Sequence, residues 1–148
     1  MPADEKTARQ PSGIPVLRAV PMPRDTNPMG DVFGGWIVSQ MDIAGGIMAA
    51  EVAQGRTVTL TMDKIIFERP VRVGQAIAVW GQLLHVGDSS LDVKLEVWAK
   101  QLLEAYEAER HLVTECVFRY IAVDDSGRPR RVPDNPHYFV RDTPGKQK

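Results

Sequence analysis

The sequence predicts an α+β fold: one long buried helix followed by a curved antiparallel sheet that wraps around it. Three observations carry that expectation. An apolar stretch of helical period runs from Trp36 to Ala53. Everything after it alternates with the period of strands, and clusters of Gly, Asp and Ser separate those strands at hairpin spacing.

At 148 residues the chain suits one domain with a sizeable core. Three segments are expected: a flexible N-terminal segment over 1–13, the folded domain over 14–132, and a polar tail over 133–148. The first is polar, with Asp4, Glu5, Lys6 and Arg9, and the last is rich in Pro and charge. A strand is expected over Leu17–Met22. It runs into Pro23-Arg24-Asp25-Thr26-Asn27-Pro28-Met29-Gly30, whose density of Pro, Asn and Gly makes an irregular loop.

Gly34-Gly35 opens the helix. Ile37, Met41, Ala44, Met48 and Val52 recur at spacings of three and four, and Val38, Ile43, Ile47 and Ala50 make the opposite face apolar too. A helix apolar all round is expected to be buried, and this one would be roughly 28 Å long at the α-helical rise. Gly55 follows the last apolar turn and suits a C-terminal stop.

Val58, Leu60 and Met62 alternate with threonines, then Ile65, Ile66 and Phe67 continue towards Pro70. Gln75–Val86 is a second strand candidate. Leu91, Val93, Leu95 and Val97 alternate with Asp92, Lys94, Glu96 and Trp98, a clear period of two. Gly87-Asp88-Ser89-Ser90 between these runs suits a hairpin turn. His111–Val123 is the last long strand, and Gln101–Arg110 reads equally as a helical turn or a hairpin loop.

Several function classes are disfavoured. A net charge of -1 gives no basic field for nucleic acid. No apolar run reaches the roughly 18–20 residues a membrane span needs, and the N-terminus has no apolar signal core. The single cysteine, Cys116, has no internal partner and is expected in the core. A cytoplasmic protein is the expectation. His85, His111 and His137 lack metal-ligand spacing, so no metal is expected. There is no G-x-S-x-G elbow and no phosphate-binding P-loop.

Asp42 is the most informative residue. Between Val32 and Gly55 only Asp42 and Glu51 are charged, and Asp42 sits between Met41 and Ile43 in the helix expected to be buried. Asp is a poor helix former and is rarely buried unpaired, so a base is the functional reading and a structural ion pair the plain one. Gly34 and Gly35 at the helix start would let a carbonyl approach free N–H groups, as an oxyanion hole requires. They serve equally as a tight loop-to-helix turn. Asn27 could orient a water or simply build its turn. Gly45-Gly46, costly inside a helix, suggest close approach of another backbone, a ligand or a second subunit. Arg128, Arg130 and Arg131 form a small cluster suited to phosphates or to a solvated loop.

The stretch Asp25-Thr26-Asn27-Pro28-Met29-Gly30-Asp31-Val32-Phe33-Gly34-Gly35-Trp36-Ile37-Val38-Ser39-Gln40-Met41-Asp42 resembles the signature of YciA-type acyl-CoA thioester hydrolases. These belong to the hotdog-fold thioesterases. The likeness continues through Gly55–Thr59, Phe67–Gly74 and Val86–Ser90, then Val97-Trp98, Thr114-Glu115 and Val123–Arg128, and covers about residues 17–132. It implies hydrolysis of acyl-CoA to free acid and CoA without metal or organic cofactor. Asp42 is then general base or nucleophile, Asn27 positions water or substrate, and Gly34 and Gly35 supply the oxyanion hole. Thr59, Ser89, Ser90, Arg128 and Arg131 are the expected substrate or CoA contacts. The resemblance also implies a site shared between two subunits, with a homodimer as the minimal active unit and a trimer of dimers as the assembly. This chain departs from that family's pattern at Met29, where many members have a small or polar residue, and at Asp88, where a basic residue is frequent, and it has Phe33 where related thioesterases carry His. A dehydratase would pair the helix acid with a His, and none lies near residues 25–45. The remaining alternative is a non-catalytic acyl-CoA binding module on the same fold.

Overall fold

The computed structural model describes residues 9–135, 137 and 138. The expectations for residues 1–8 and for the tail at 136 and 139–148 lie outside the described residues.

Strand β1 (Leu17–Ala19) leads through a 3-10 turn at Pro23–Asp25 into helix α1 (Gly34–Ala53). Strands β2 (Thr57–Met62), β3 (Gln75–Val86), β4 (Ser90–Gln101) and β5 (His111–Ala122) follow. All pair antiparallel in one five-stranded sheet of order β1-β3-β4-β5-β2. The sheet curls over α1, the wrapped-helix arrangement the sequence predicts. Alternation sets which side chains meet the helix: Leu91, Val93, Leu95 and Val97 of β4 face α1 and are fully buried. Asp92, Lys94, Glu96 and Trp98 take the other face.

The helix is less enclosed than its composition suggests. Ile37, Met41, Ala44, Ala49 and Val52 pack into the core, whereas Ile43 stays 53% exposed and Ile47 42%. A single sheet covers one side of a cylinder, so the second apolar face has no cover among the described residues. The end of α1 also differs from expectation. Gln54, with φ 52°, takes the left-handed conformation, and the Gly55 N–H follows by donating to the Ala50 carbonyl at 3.2 Å.

Three further segments refine the sequence reading. The first strand is shorter than Leu17–Met22. Residues 63–68 leave the ladder yet track β5, with Asp63 N–H donating to Val117 O and Glu68 N–H to Val113 O. Residues 102–110 form a turn-rich loop rather than a helical turn.

The outer sheet face carries its own small apolar cluster of Ala78, Trp80, Trp98 and Leu112. Residues 9–13 lie against it: Arg9 stands 5.3 Å from the Trp98 ring centroid, and the Trp80 indole donates to Gly13 O at 3.1 Å. Gln10 exchanges two 2.9 Å hydrogen bonds with the Arg110 backbone. The end of the segment expected to be flexible thus shields two tryptophans from water.

Candidate active site

Loop 26–33 sets the start of α1. Thr26 bridges Val32, Asp31 bridges Arg72, and Val32 N–H donates to Val71 O at 2.8 Å. Asn27 is the pivot of this loop. Its Oδ1 accepts from the N–H of Met29 at 2.9 Å and of Asp31 at 3.1 Å, so its carbonyl end builds the turn. Its Nδ2 has no acceptor among the described residues.

The helix then begins without a side-chain cap. The Phe33 carbonyl accepts from Trp36 and Ile37, which leaves the N–H groups of Gly34 and Gly35 with no acceptor among the described residues. A β-carbon at Gly34 would stand 3.1 Å from the Phe67 ring, while one at Gly35 would meet nothing within 4 Å. Gly34 is therefore packed under an aromatic ring, while the α-carbon of Gly35 borders open space. A cavity of about 260 Å³ lies beside this end, lined by Val32, Gly34, Ile37, Phe67 and Val71. The sequence reading had not assigned Phe67 a role.

Asp42 lies two turns further on, half-buried on α1. One of its oxygens, Oδ1, accepts two hydroxyl hydrogen bonds, from Thr59 at 2.7 Å and from Tyr120 at 3.0 Å. No partner for Oδ2 exists among the described residues. Thr59 and Tyr120 are direct cross-strand partners on β2 and β5, so their side chains share a face and converge on one point of the helix. A register irregularity falls between Thr59 and Thr61, immediately beyond that pair. Burial first, then the Asp42 charge and the hydrogen bond to it, push the Tyr120 phenol well above its ordinary value near 10. Tyr120 therefore stays protonated and remains a donor.

Thr59, expected as a substrate contact, thus touches the acid itself. Tyr120 lies within the last long strand expected from the sequence, which assigns it no role. The missed signal is the chemistry of an otherwise apolar alternation, since a fully buried phenol needs a partner. At Gly45 the close neighbours within the chain are the side chains of Tyr120 and Leu95 rather than a backbone, whereas a β-carbon at Gly46 would meet nothing within 4 Å. Cys116 is buried, and burial pushes its thiol above the ordinary range, as suits an inert core residue.

The other expected contacts gather at the far end of α1. Ala122 N–H donates to Ser89 O and Val132 N–H to Asp88 O, which sets the 87–90 turn beside residues 130–132. Arg128 is exposed, and Arg131 lies 3.9 Å from Asp134. Arg130 is different in kind: its guanidinium donates to Ala53 O at 2.9 Å and to Val123 O at 3.1 Å, tying down the helix C-terminus. The chain therefore presents the Asn27–Gly35 corner and the Asp42–Thr59–Tyr120 cluster as separate groups, with the 87–90 turn beside residues 130–132 at the far end of α1 and Arg128 exposed on the 124–128 turn. By helical rise, Gly35 and Asp42 stand about 11 Å apart, too far to serve one carbonyl within a chain.

Among the described residues no group of three His, Cys, Asp or Glu side chains could hold a metal ion, and no helix is long and apolar enough to cross a membrane.

A protein-family model described as the thioesterase superfamily matches residues 29–106, which includes Gly34, Gly35, Asp42 and Thr59. The chain is 43% identical over 127 residues to the acyl-CoA thioester hydrolase YciA of Escherichia coli K12, an alignment covering 86% of this chain and 96% of that one. Among solved structures, a hexameric broad specificity acyl-coenzyme A thioesterase superimposes with a TM-score of 0.78 at 46% identity, covering 86% of each chain. A hexameric hotdog fold thioesterase of Campylobacter jejuni follows with a TM-score of 0.75 at 38% identity, covering 82% of this chain and 91% of that one. The chain has the hotdog fold and belongs to the thioesterase superfamily.

Proposed function

We propose that the protein hydrolyses acyl-CoA to a free carboxylic acid and CoA, with the Asp42 carboxylate as general base or nucleophile. The observation that carries this reading is the half-buried Asp42 carboxylate, held through Oδ1 by two hydroxyls and left open at Oδ2. Hydrolysis needs a group that takes a proton from water or attacks the thioester carbonyl itself, and a carboxylate so fixed suits either role. It also needs donors where the carbonyl oxygen gains charge. The amides of Gly34 and Gly35 at a helix N-terminus, without an acceptor among the described residues, are such donors.

Because these groups are too far apart in one chain, the site is composite: Asp42 of one subunit works with Asn27, Gly34 and Gly35 of a second. The exposed Ile43 and Ile47 on α1 and the edge strand β2, with Val58, Leu60 and Met62 exposed, support a homodimer as the minimal unit. Relatives described as hexameric support a trimer of dimers. The basic end formed by Arg128 and Arg131 beside Ser89 and Ser90 would receive the CoA phosphates. The cytoplasm, where CoA and a free thiol such as Cys116 are at home, is the location this reading implies.

The test is thiol release from acyl-CoAs of short, medium and long chain by the purified assembly. Turnover on any of them supports the assignment, and the chain-length profile then names the substrate class. CoA binding without release from any acyl-CoA would replace it with the non-catalytic binding module.

A further inference from the structure

Tyr120 is buried to within 1% of full exclusion, yet it carries a hydroxyl whose partners among the described residues are both on Asp42. Its ring stacks on Phe118, with centroids 6.4 Å apart, and that contact needs no oxygen. A phenylalanine would pack the same sheet face without the cost of burying a phenol. The hydroxyl reaches the Asp42 carboxylate at 3.0 Å and its main-chain carbonyl at 3.2 Å, so it registers both the side chain and the helix that bears it. Room for this approach comes from the helix: at Gly45 any β-carbon would collide with the phenol oxygen. A glycine inside a helix is unfavourable by about 1 kcal/mol against alanine, so its presence here has a steric reason.

We infer that Tyr120 is a positioning residue for the reaction, which with Thr59 pins Oδ1 of Asp42 and leaves Oδ2 as the oxygen that meets the attacking water or the thioester carbon. An aspartate on a helix ordinarily samples several rotamers, and its two oxygens are equivalent. Two donors on the same oxygen remove both freedoms. They come from adjacent strands at one register position, Thr59 opposite Tyr120, so the sheet acts as a rigid jig for the helix carboxylate. Misplacement of a reacting group by about 1 Å can cost on the order of 100-fold in rate. The inference rests on the thioesterase reading above.

The test compares thiol release by the wild type, Tyr120→Phe, Asp42→Asn and the double variant, with assembly followed by light scattering. Tyr120→Phe keeps the ring and loses only the donor. The expected result is a fall in kcat of about 10- to 100-fold with KM within about twofold, and no further loss when Tyr120→Phe is added to Asp42→Asn. An unchanged kcat in an assembled Tyr120→Phe overturns the inference, as does an equal loss in both backgrounds, which would mark a role independent of Asp42. Should Tyr120→Phe fail to assemble, Gly45→Ala gives the reading instead: it crowds the hydroxyl from the helix side, and kcat must fall by a similar factor or the inference fails. Absence of thiol release by the wild type overturns the thioesterase reading itself, so the two failures are distinguishable.

Discussion

Gly45 of α1 lies directly beneath Tyr120 of β5, so that a β-carbon there would stand 2.8 Å from the phenol Cζ and collide with its oxygen. The same β-carbon would also press on Leu95 Cδ1 at 2.9 Å. In an ordinary helix interior, Gly→Ala is stabilising by about 1 kcal/mol. Here overpacking dominates, and Gly45→Ala is expected to destabilise by about 1–3 kcal/mol. The midpoint of denaturant unfolding, read alongside thiol release, measures both the stability and the displaced donor.

Ile47 on the uncovered helix face gives a second prediction. A composite site requires that this face meet a second copy. Ile47→Glu would place a charge in that contact at a cost of several kcal/mol. The expected outcome is a shift to monomer in light scattering with simultaneous loss of thiol release, while circular dichroism remains unchanged. An active monomer would refute the two-subunit site.

The arginines separate binding from stability. Arg128→Ala and Arg131→Ala are expected to raise KM for acyl-CoA with kcat preserved, because they would remove only contacts made equally in ground and transition states. Arg130→Ala removes two hydrogen bonds that tie Ala53 and Val123. Hydrogen bonds to a charged group are each worth about 1.5–3 kcal/mol, so Tm falls while KM holds. The reverse pattern would place Arg130 at the phosphates.

Acid should destabilise the fold in two windows. His111 is held below its ordinary value near 6.5, first by burial and then by the charge of Arg69. A group with a depressed folded value stabilises fully above its unfolded value and less as pH falls through the folded one, so the first loss begins below about 6.5. Glu96 is also depressed: burial opposes its charge, but the hydrogen bond and charge of Arg9, helped by Trp98 and Lys94, outweigh it. Asp92 is depressed chiefly by its hydrogen bond from Arg119. Both carboxylates act in the same direction, below about 4.5 and 3.8. Unfolding midpoints from pH 8 to 3 check this, and His111→Gln is expected to erase the upper window alone.

Much of this fold is legible in sequence because its signals are local and periodic. The β4 alternation from Leu91 to Trp98 assigns each side chain a face before any contact is known. The length of α1 follows from its apolar spacing and from Gly34-Gly35 at its start. The uncovered face of α1 was not legible, since Ile43 and Ile47 look the same whether a sheet or a second chain covers them. The exchange between Asp42, Thr59 and Tyr120 was half legible. Asp42 stands out as a charge in an apolar run, whereas the pairing of Thr59 with Tyr120 depends on strand register across more than 60 residues. Gly45 illustrates the same limit: its cost is visible in the sequence, and its cause lies on another strand.

The proposed hydrolysis depends on the Asp42 carboxylate. The most direct measurement is thiol release from acyl-CoA by the wild type and Asp42→Asn at equal concentration of assembled protein. Asn keeps the size of the side chain and an oxygen for Thr59 and Tyr120, but neither accepts a proton well nor attacks a carbonyl. Turnover by the wild type and a loss of at least about 100-fold in kcat for the variant are expected, with the assembly intact. Comparable turnover by both proteins would remove Asp42 from the chemistry.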